Sequence, residues 1–459
     1  MFKTSTQFLQ QFTRLFSSAS NMPVLEATIA RHIKTQPLKG CGILCIQHSL
    51  ETMVPVIEGL KQLGAEDIFV MGKQYSESSK VAETLKKMIG IRYRQQSNQA
   101  ALGQFIPTFQ RNSALLWHDL ESAIASQKEL QPKIKKILVL DHGGYATQMI
   151  PDFNAFPVIM IEKTTSGISR KDSSYLPFPR IEMATAAVKK TLESPAIAMA
   201  VTDKLSRELL PEIYKSGLVC SVIGYGSIGA AITQHLILLG HKVFVYDVDA
   251  EKTRKLPKGA QRLVDFTPAI AYSNVIFGCT GKDISEKLEI FDYAPSQKIL
   301  VSCSSDDVEF QSLLRHIQVK MGNRLSSPTK DIEYHNAIGG SIKILRGGFP
   351  VNFDNSLESV PAQYIQLTRS LLIAACVQAA AYNNLTPPSF TVMLDPQEQL
   401  IIARDFVEFL KEHASDYPGL AEFDKLFSRR DNVCLDWIID HSGGVVDKGY
   451  DKEAGLVLE

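Results

Sequence analysis

Neither sign of charge dominates this 459-residue chain: 49 lysines and arginines balance 49 aspartates and glutamates. Without a basic excess there is no electrostatic footprint for nucleic acid or an anionic membrane surface, so the expected partner is a small molecule. Paired cysteines are also lacking. The seven present (Cys41, Cys45, Cys220, Cys279, Cys303, Cys376 and Cys434) are an odd number with no CxxC pair and no histidine at zinc-site spacing. They read as reduced, mostly core residues of a cytoplasmic protein, and no metal site is expected. Long apolar runs are missing too. The longest, near Leu371 to Tyr382, is about twelve residues, short of the roughly twenty that span a bilayer, so no membrane segment is expected. Repeats and low-complexity segments are absent. No acidic residue precedes Glu26, and with Lys3 and Arg14 the first twenty residues superficially match a transit peptide. Phe8, Leu9, Phe12, Leu15 and Phe16, however, recur at helical spacing, and a helix is the preferred reading.

What is present is the composition of a globular protein, 45% hydrophobic and 21% charged, in a chain long enough for two large domains. From residue 42 short apolar runs alternate with amphipathic stretches. Gly42 to Gln47, Asp67 to Gly72, Lys136 to Asp141 and Phe156 to Ile161 read as strands, and Val54 to Leu63 and Ser78 to Met88 as helices. Such alternation predicts a parallel sheet with helices on its faces. A second unit of the same kind begins near Leu218, with strands at Lys242 to Asp247, Asn274 to Cys279 and Lys298 to Ser302. The fold class is therefore α/β, with two doubly wound parallel sheets. Beyond them, Ser341 to Leu345 and Phe349 to Phe353 resemble a hairpin around Arg346-Gly347-Gly348, and Gln363 to Tyr382 a long buried helix.

The second unit opens on Gly224-Tyr225-Gly226-Ser227-Ile228-Gly229, fed by an apolar strand and followed by a helical pattern. A lone GxGxxG is a weak signal, but here the context matches the mechanism. Gly224 permits the tight turn, Gly226 lets backbone approach a pyrophosphate, and Gly229 lets the helix pack closely. The helix N-terminus, beginning at Ser227 and Ile228, would face the phosphates. Asp247 closes the next strand, 23 positions after Gly224, where a carboxylate accepts from ribose hydroxyls and repels a 2′-phosphate. The expected cofactor is NAD rather than NADP. Thr280 and Gly281 follow a later strand and would line the same crevice.

Ordered motifs over roughly residues 8 to 400 extend this reading. Asn21-Met22-Pro23, Pro37-Leu38-Lys39-Gly40, Ile46-Gln47-His48 and Leu63-Gly64-Ala65-Glu66 are followed by Leu140-Asp141-His142-Gly143-Gly144 and by Ile161-Glu162-Lys163-Thr164-Thr165-Ser166-Gly167. Together with Phe178-Pro179, Gly224-Tyr225-Gly226, Asp307-Val308-Glu309 and Val351-Asn352, they resemble the S-adenosylhomocysteine hydrolases. The resemblance implies a homo-oligomer, a tetramer in that family, that keeps NAD bound and uses it to oxidise and later reduce the nucleoside 3′-hydroxyl. A ketone beside the 4′-carbon makes an otherwise inert C–H bond removable by a modest base. It further implies a substrate domain over 1–195 plus 352–402, an NAD-binding domain over 196–351 and a divergent tail over 403–459. On its register Lys189 falls on the catalytic lysine, Glu193 on the catalytic aspartate and His48 on the 5′ side, and His142 is a fourth candidate catalytic residue. Thr164, with Lys163 and Ser305, falls at substrate positions, and Thr165, Ser166 and Asn352 at cofactor positions.

The departures fall on the same motifs. His142 stands where the family has the second acid of LDDGG, and Lys163 where it has the second glutamate of EETTTG, so two carboxylates become two potential cations. Ser194 replaces the asparagine after the catalytic aspartate, and Leu50 and Thr52 replace residues that recognise adenine. Ser305 replaces a histidine near the cofactor, and the family's C-terminal Lys and Tyr have no counterpart at the right spacing. Three readings stay open: a divergent hydrolase; an NAD-dependent enzyme on a different substrate, where His142 and Lys163 would suit a carboxylate or phosphate; and an inactive homologue that binds NAD or a nucleoside and serves a regulatory role.

Overall fold

The computed structural model describes residues 21–96, 104–127, 133–146, 156–169, 178–209, 217–294, 296–322, 329–336, 338–382 and 391–443, with 213, 215, 450–451 and 456–457. The helix expected over Phe8 to Phe16 lies outside them. The chain forms two compact units, one built on 194–354 with 104–108, the other on the described residues of 21–96, 109–193 and those from 355 onward.

In the second of these units β1 (Cys41–Gln47), β2 (Ile68–Gly72), β3 (Ile91–Arg94), β4 (Lys136–Asp141), β5 (Val158–Glu162) and β6 (Arg180–Glu182) form one sheet with Thr391–Met393. The spatial order is β3-β2-β1-β4-β5-β6 and then Thr391–Met393, every pair parallel. β1, β2 and β5 are buried along their whole length, which is why they read as continuous apolar runs instead of alternating ones. The helix Ala362–Ala381 packs on β4, β5 and the helix Pro23–His32. By length and composition it could cross a membrane, but most of it is buried within the fold. Leu367, Leu371, Leu372 and Ile373 are fully covered, each contributing about 1.5–3 kcal/mol of burial. Within this core helix Arg369 is a buried cation.

The chain does not break at 403. Helix Pro396–His413 runs through that position with Ile402, Ala403, Phe406 and Leu410 buried, and Tyr417 donates its hydroxyl to the Leu192 carbonyl at 2.5 Å. The helices Leu420–Phe427 and Asp431–His441 of the divergent stretch fall in this unit as well.

The other unit contains β7 (Val219–Ile223), β8 (Lys242–Tyr246), β9 (Ala260–Arg262), β10 (Val275–Gly278), β11 (Lys298–Ser302), β12 (Ile332–His335) and β13 (Ser341–Ile344). Their order is β12-β13-β11-β10-β7-β8-β9, parallel except for the antiparallel β12–β13 edge. Alternate residues feed opposite faces. Val275, Phe277 and Val301 join one apolar cluster, Ile276 and Leu300 the other, so both faces must be covered by helices.

The hairpin expected over 341–353 is not formed. Arg346 and Gly347 adopt positive φ (52° and 60°) in a short 3-10 turn, and β13 pairs with β12 instead. Pro350 makes only a single bridge to Ser302, since a proline has no N–H with which to continue a ladder.

Each sheet therefore winds outward from its first strand and then resumes on that strand's other side. The strand order reverses between β1 and β4 in one unit and between β7 and β10 in the other, and in open α/β sheets the crevice beyond the strand carboxyl ends at such a point is where ligands bind.

Candidate functional site

At the β7/β10 reversal the glycine turn has the geometry its sequence predicts. Gly224 has φ +95°, and a Cβ there would lie 2.7 Å from the Cys279 carbonyl. A Cβ on Gly229 would stand 1.9 Å from the Gly224 oxygen. Both positions demand glycine. Gly226 differs: its φ is −78°, and a Cβ would meet nothing within 4 Å. It borders open space at the start of helix Ser227–Leu238, whose first turn has no side-chain cap. The leading N–H groups of Ser227, Ile228 and Gly229 and the positive dipole end are the elements of an anion cradle.

Asp247 follows β8 and holds this turn. Its Oδ2 accepts from Tyr225 N at 2.6 Å and its Oδ1 from Asp249 N at 2.8 Å, with Lys252 Nζ at 3.7 Å. Each oxygen retains a further lone pair for a hydroxyl donor. Thr280 and Gly281, beyond β10, are clamped by Glu309, which accepts from both backbone N–H groups at 2.6 Å and from the Thr280 hydroxyl at 2.8 Å. Ser304 donates its hydroxyl to the same carboxylate. Ser305 lies three residues past β11, and Asn352 is carried to this edge by the Pro350–Ser302 bridge. Glu309 appears in the sequence only as a landmark, but here it is the residue that shapes the loop.

At the β1/β4 reversal a different set assembles. Lys73, His48, His142 and Lys163 are the first residues beyond β2, β1, β4 and β5, four neighbouring strands. The ladders continue into them, through Lys73 N to the Gln47 carbonyl (3.2 Å) and Lys163 N to the Asp141 carbonyl (3.1 Å). All four side chains are buried. His48 and His142 face each other with their Nε2 atoms 3.2 Å apart, and His48 Nδ1 lies 2.5 Å from Ser76 Oγ. Lys73 lies over the Tyr145 ring, 5.0 Å from its centroid.

The acids preceding His142 and Lys163 have a separate duty. Asp141 accepts from Tyr145 N and Ala146 N, and Glu162 from Gly143 N, Gly144 N and Thr164 N. These carboxylates tie down the turns that carry His142 and Lys163. Thr164 is part of the same clamp: its hydroxyl donates to Glu162 at 2.7 Å and accepts from Ser166 Oγ and Gly167 N. Thr165 and Ser166 open the five-residue helix that follows.

Lys189 and Glu193 come together on one helical face at i, i+4, with Nζ and Oε2 at 2.9 Å, and Thr368 donates to Glu193 Oε1 at 2.5 Å. Burial raises the Glu193 carboxyl, but Lys189 and Lys163 outweigh it and hold the group below its ordinary range. Burial and then Arg369 push the Lys163 ammonium well below the usual lysine value. Arg369 donates through Nε and Nη2 to Thr52 Oγ1 at 3.1 and 3.0 Å, and Glu358 accepts from Thr52 N. Burial pushes the Glu358 carboxyl up to about 7. Lys73, Ser76, Thr368 and Arg369 were missed in the sequence. Lys73 obeys the same strand-end rule as His48, and a lone arginine inside an apolar helix is itself a signal.

No known family profile matches the chain. Over 375 residues it is 29% identical to an uncharacterized protein of Mycobacterium tuberculosis strain H37Rv, covering 79% of this chain and 68% of that one. An uncharacterized protein of strain CDC 1551 matches with the same values. Among solved structures, a dipicolinate synthase component from Bacillus halodurans aligns with a TM-score of 0.37 at 13% identity, covering 75% of this chain and 99% of that one. A 2-hydroxyacid dehydrogenase from Ketogulonicigenium vulgare Y25 aligns at 0.38 and 9%, covering 74% and 96%. At such values these likenesses bear on neither site.

Proposed function

We propose that the chain is an NAD-dependent enzyme whose substrate is an anionic small molecule instead of S-adenosylhomocysteine. The observation that carries this reading is the row Lys73, His48, His142 and Lys163 along one sheet edge at its strand-order reversal. Where the hydrolases present two carboxylates to a ribose, this chain presents an imidazole and a lysine whose charged form, disfavoured by burial, a bound anion would restore. Lys189 and Arg369 add positive charge, opposed by Glu193 and by a Glu358 whose burial disfavours its ionised form. A nucleoside offering hydroxyl donors finds few acceptors here. A carboxylate or phosphate finds donors on several sides. Loss of one positioned acid or base typically costs about 10²–10⁴ in rate, so two changes together leave the hydrolase reaction very weak.

The cofactor reading rests on the fit of the glycine turn. The open space at Gly226, the uncapped helix start and the spare lone pairs of Asp247 suit a pyrophosphate and an adenosine ribose, and the Asp247 charge favours NAD over NADP. NAD supplies hydride exchange when bound. The protein's own groups hold the anion and present Lys189 and the imidazoles as donors and acceptors for its reacting end.

The test supplies the purified full-length chain with NAD and separate panels of hydroxylated carboxylates, sugar phosphates and adenosine derivatives, and follows reduced nicotinamide. Reduction by a member of the anionic panels, with adenosine inert, is expected. Release of homocysteine from S-adenosylhomocysteine at an ordinary enzymatic rate would overturn the reading.

A further inference from the structure

The hydrogen bonds around His142 run in one direction. Ser76 Oγ donates to the Lys73 carbonyl at 3.1 Å, so at 2.5 Å it accepts from His48 Nδ1. A neutral imidazole that donates through Nδ1 carries its lone pair on Nε2. His48 Nε2 therefore accepts from His142 Nε2 across 3.2 Å. His142 is left with a bare lone pair on Nδ1, a buried atom with no hydrogen-bond partner among the described residues. Burial, the neighbouring imidazole and the lysines at 73, 163 and 189 keep this ring neutral, and burial with Lys73, Lys163 and Arg369 does the same for His48.

A second buried atom is also unmatched. Arg369 Nη1 has no hydrogen-bond partner among the described residues, although Nε and Nη2 are held by Thr52. The guanidinium is a charged neighbour of both Lys163 and His48. Around the strand-order reversal, then, stand donors (Lys73, Lys163, Lys189 and Arg369) and one ring nitrogen that cannot donate. A ligand made only of acceptors would satisfy the cations and leave Nδ1 of His142 unpaired, which a buried polar atom resists.

We propose that this site binds a small anion carrying a hydroxyl group, its charged end on Lys163 and Nη1 of Arg369 and its hydroxyl donating to Nδ1 of His142. The inference rests on the anionic-substrate reading and narrows it to hydroxy acids or hydroxylated phosphate esters. His48 and Ser76 are positioning residues, because they act on the ligand only by fixing which nitrogen of His142 is bare.

The experiment is calorimetric titration of the full-length protein with matched probes: lactate against propionate, and glycerol 3-phosphate against propyl phosphate. The hydroxylated member of one pair should bind about tenfold more tightly than its partner, and the pair that responds identifies the charged group. His142→Gln, whose amide can replace the Nε2 donor but offers nothing at Nδ1, should bring that ratio to about one. His142→Asn, whose side-chain oxygen falls near the Nδ1 position, should retain part of it. Lys163→Met should weaken both members alike. Nitrogen NMR of the free protein should show His142 as the neutral Nε2–H tautomer, and Ser76→Ala should unlock it. Equal binding of hydroxylated and plain anions, or an Nδ1–H tautomer in the parent protein, would overturn the inference while leaving the anionic reading intact. Failure of every anion to bind a folded protein that still titrates with NAD would overturn both.

Discussion

Gly226→Ala separates the folding role of the glycine turn from its binding role. Its φ of −78° is open to alanine, and the added Cβ meets nothing within 4 Å. Two small effects on stability oppose each other. Restricting the unfolded chain stabilises by about 0.4–1 kcal/mol, while alanine in place of glycine at a helix N-cap costs about as much. The net change should stay within about 1 kcal/mol, a shift in Tm of no more than about 2–4 °C for a unit of this size. The space the methyl enters is the space a pyrophosphate needs, and displacing it should weaken NAD binding about 10- to 100-fold, or about 1.4–2.8 kcal/mol. The assay is a fluorescence titration with reduced NAD beside a thermal melt of the same sample. Unchanged affinity with an unchanged melt would refute the assignment of the turn to the dinucleotide.

Gly229→Ala should behave oppositely, because its Cβ would lie 1.9 Å from a backbone oxygen that cannot rotate away; the thermal melt should fall by at least about 1–3 kcal/mol of stability. Asp247→Ala removes the acceptor for Tyr225 N and the charge beside the ribose, so NAD should bind more weakly and lose its advantage over NADP in a paired titration. Glu358 has a carboxyl raised from 4.5 to about 7 by burial, so the folded state holds a proton that the unfolded state releases. Its contribution to stability is present below about pH 4.5 and is lost as pH rises through about 7, at most about 3 kcal/mol. In denaturant melts Glu358→Gln should flatten the slope of stability against pH across that window, and an unaltered slope would show that the residue does not titrate there.

Much of the architecture was legible because buried parallel strands are continuous apolar runs; Lys136–Asp141 and Lys298–Ser302 have the bounds read from sequence. The false hairpin shows where pattern fails. Phe349 to Phe353 is apolar enough for a strand, but positive φ at Arg346 and Gly347 redirects the chain before it can pair. The glycine turn was readable because Gly224 and Gly229 answer local steric demands and Gly226 leaves open the space beside the helix start. The row at this sheet edge was only half readable: His142 and Lys163 stood out as changes to familiar motifs and His48 as a match to one, whereas Lys73 joins them only through the β1–β2 ladder. Arg369 reaches the row from a helix more than 200 residues further along the chain, a proximity no spacing rule reveals. Asp141 and Glu162, which the sequence shows only as members of motifs, accept from turn N–H groups and hold those turns in place.

The central claim, NAD-dependent chemistry on an anion, is tested most directly by comparing the parent protein with Lys163→Glu in one assay of nicotinamide reduction over panels of hydroxylated carboxylates, phosphates and adenosine derivatives. Reversing this buried charge should leave NAD binding intact, since Lys163 lies in the unit that lacks the glycine turn. The account predicts that the parent reduces NAD with an anionic substrate and that Lys163→Glu does not. Equal activity of the two proteins on that substrate, or turnover confined to adenosine derivatives, would contradict it.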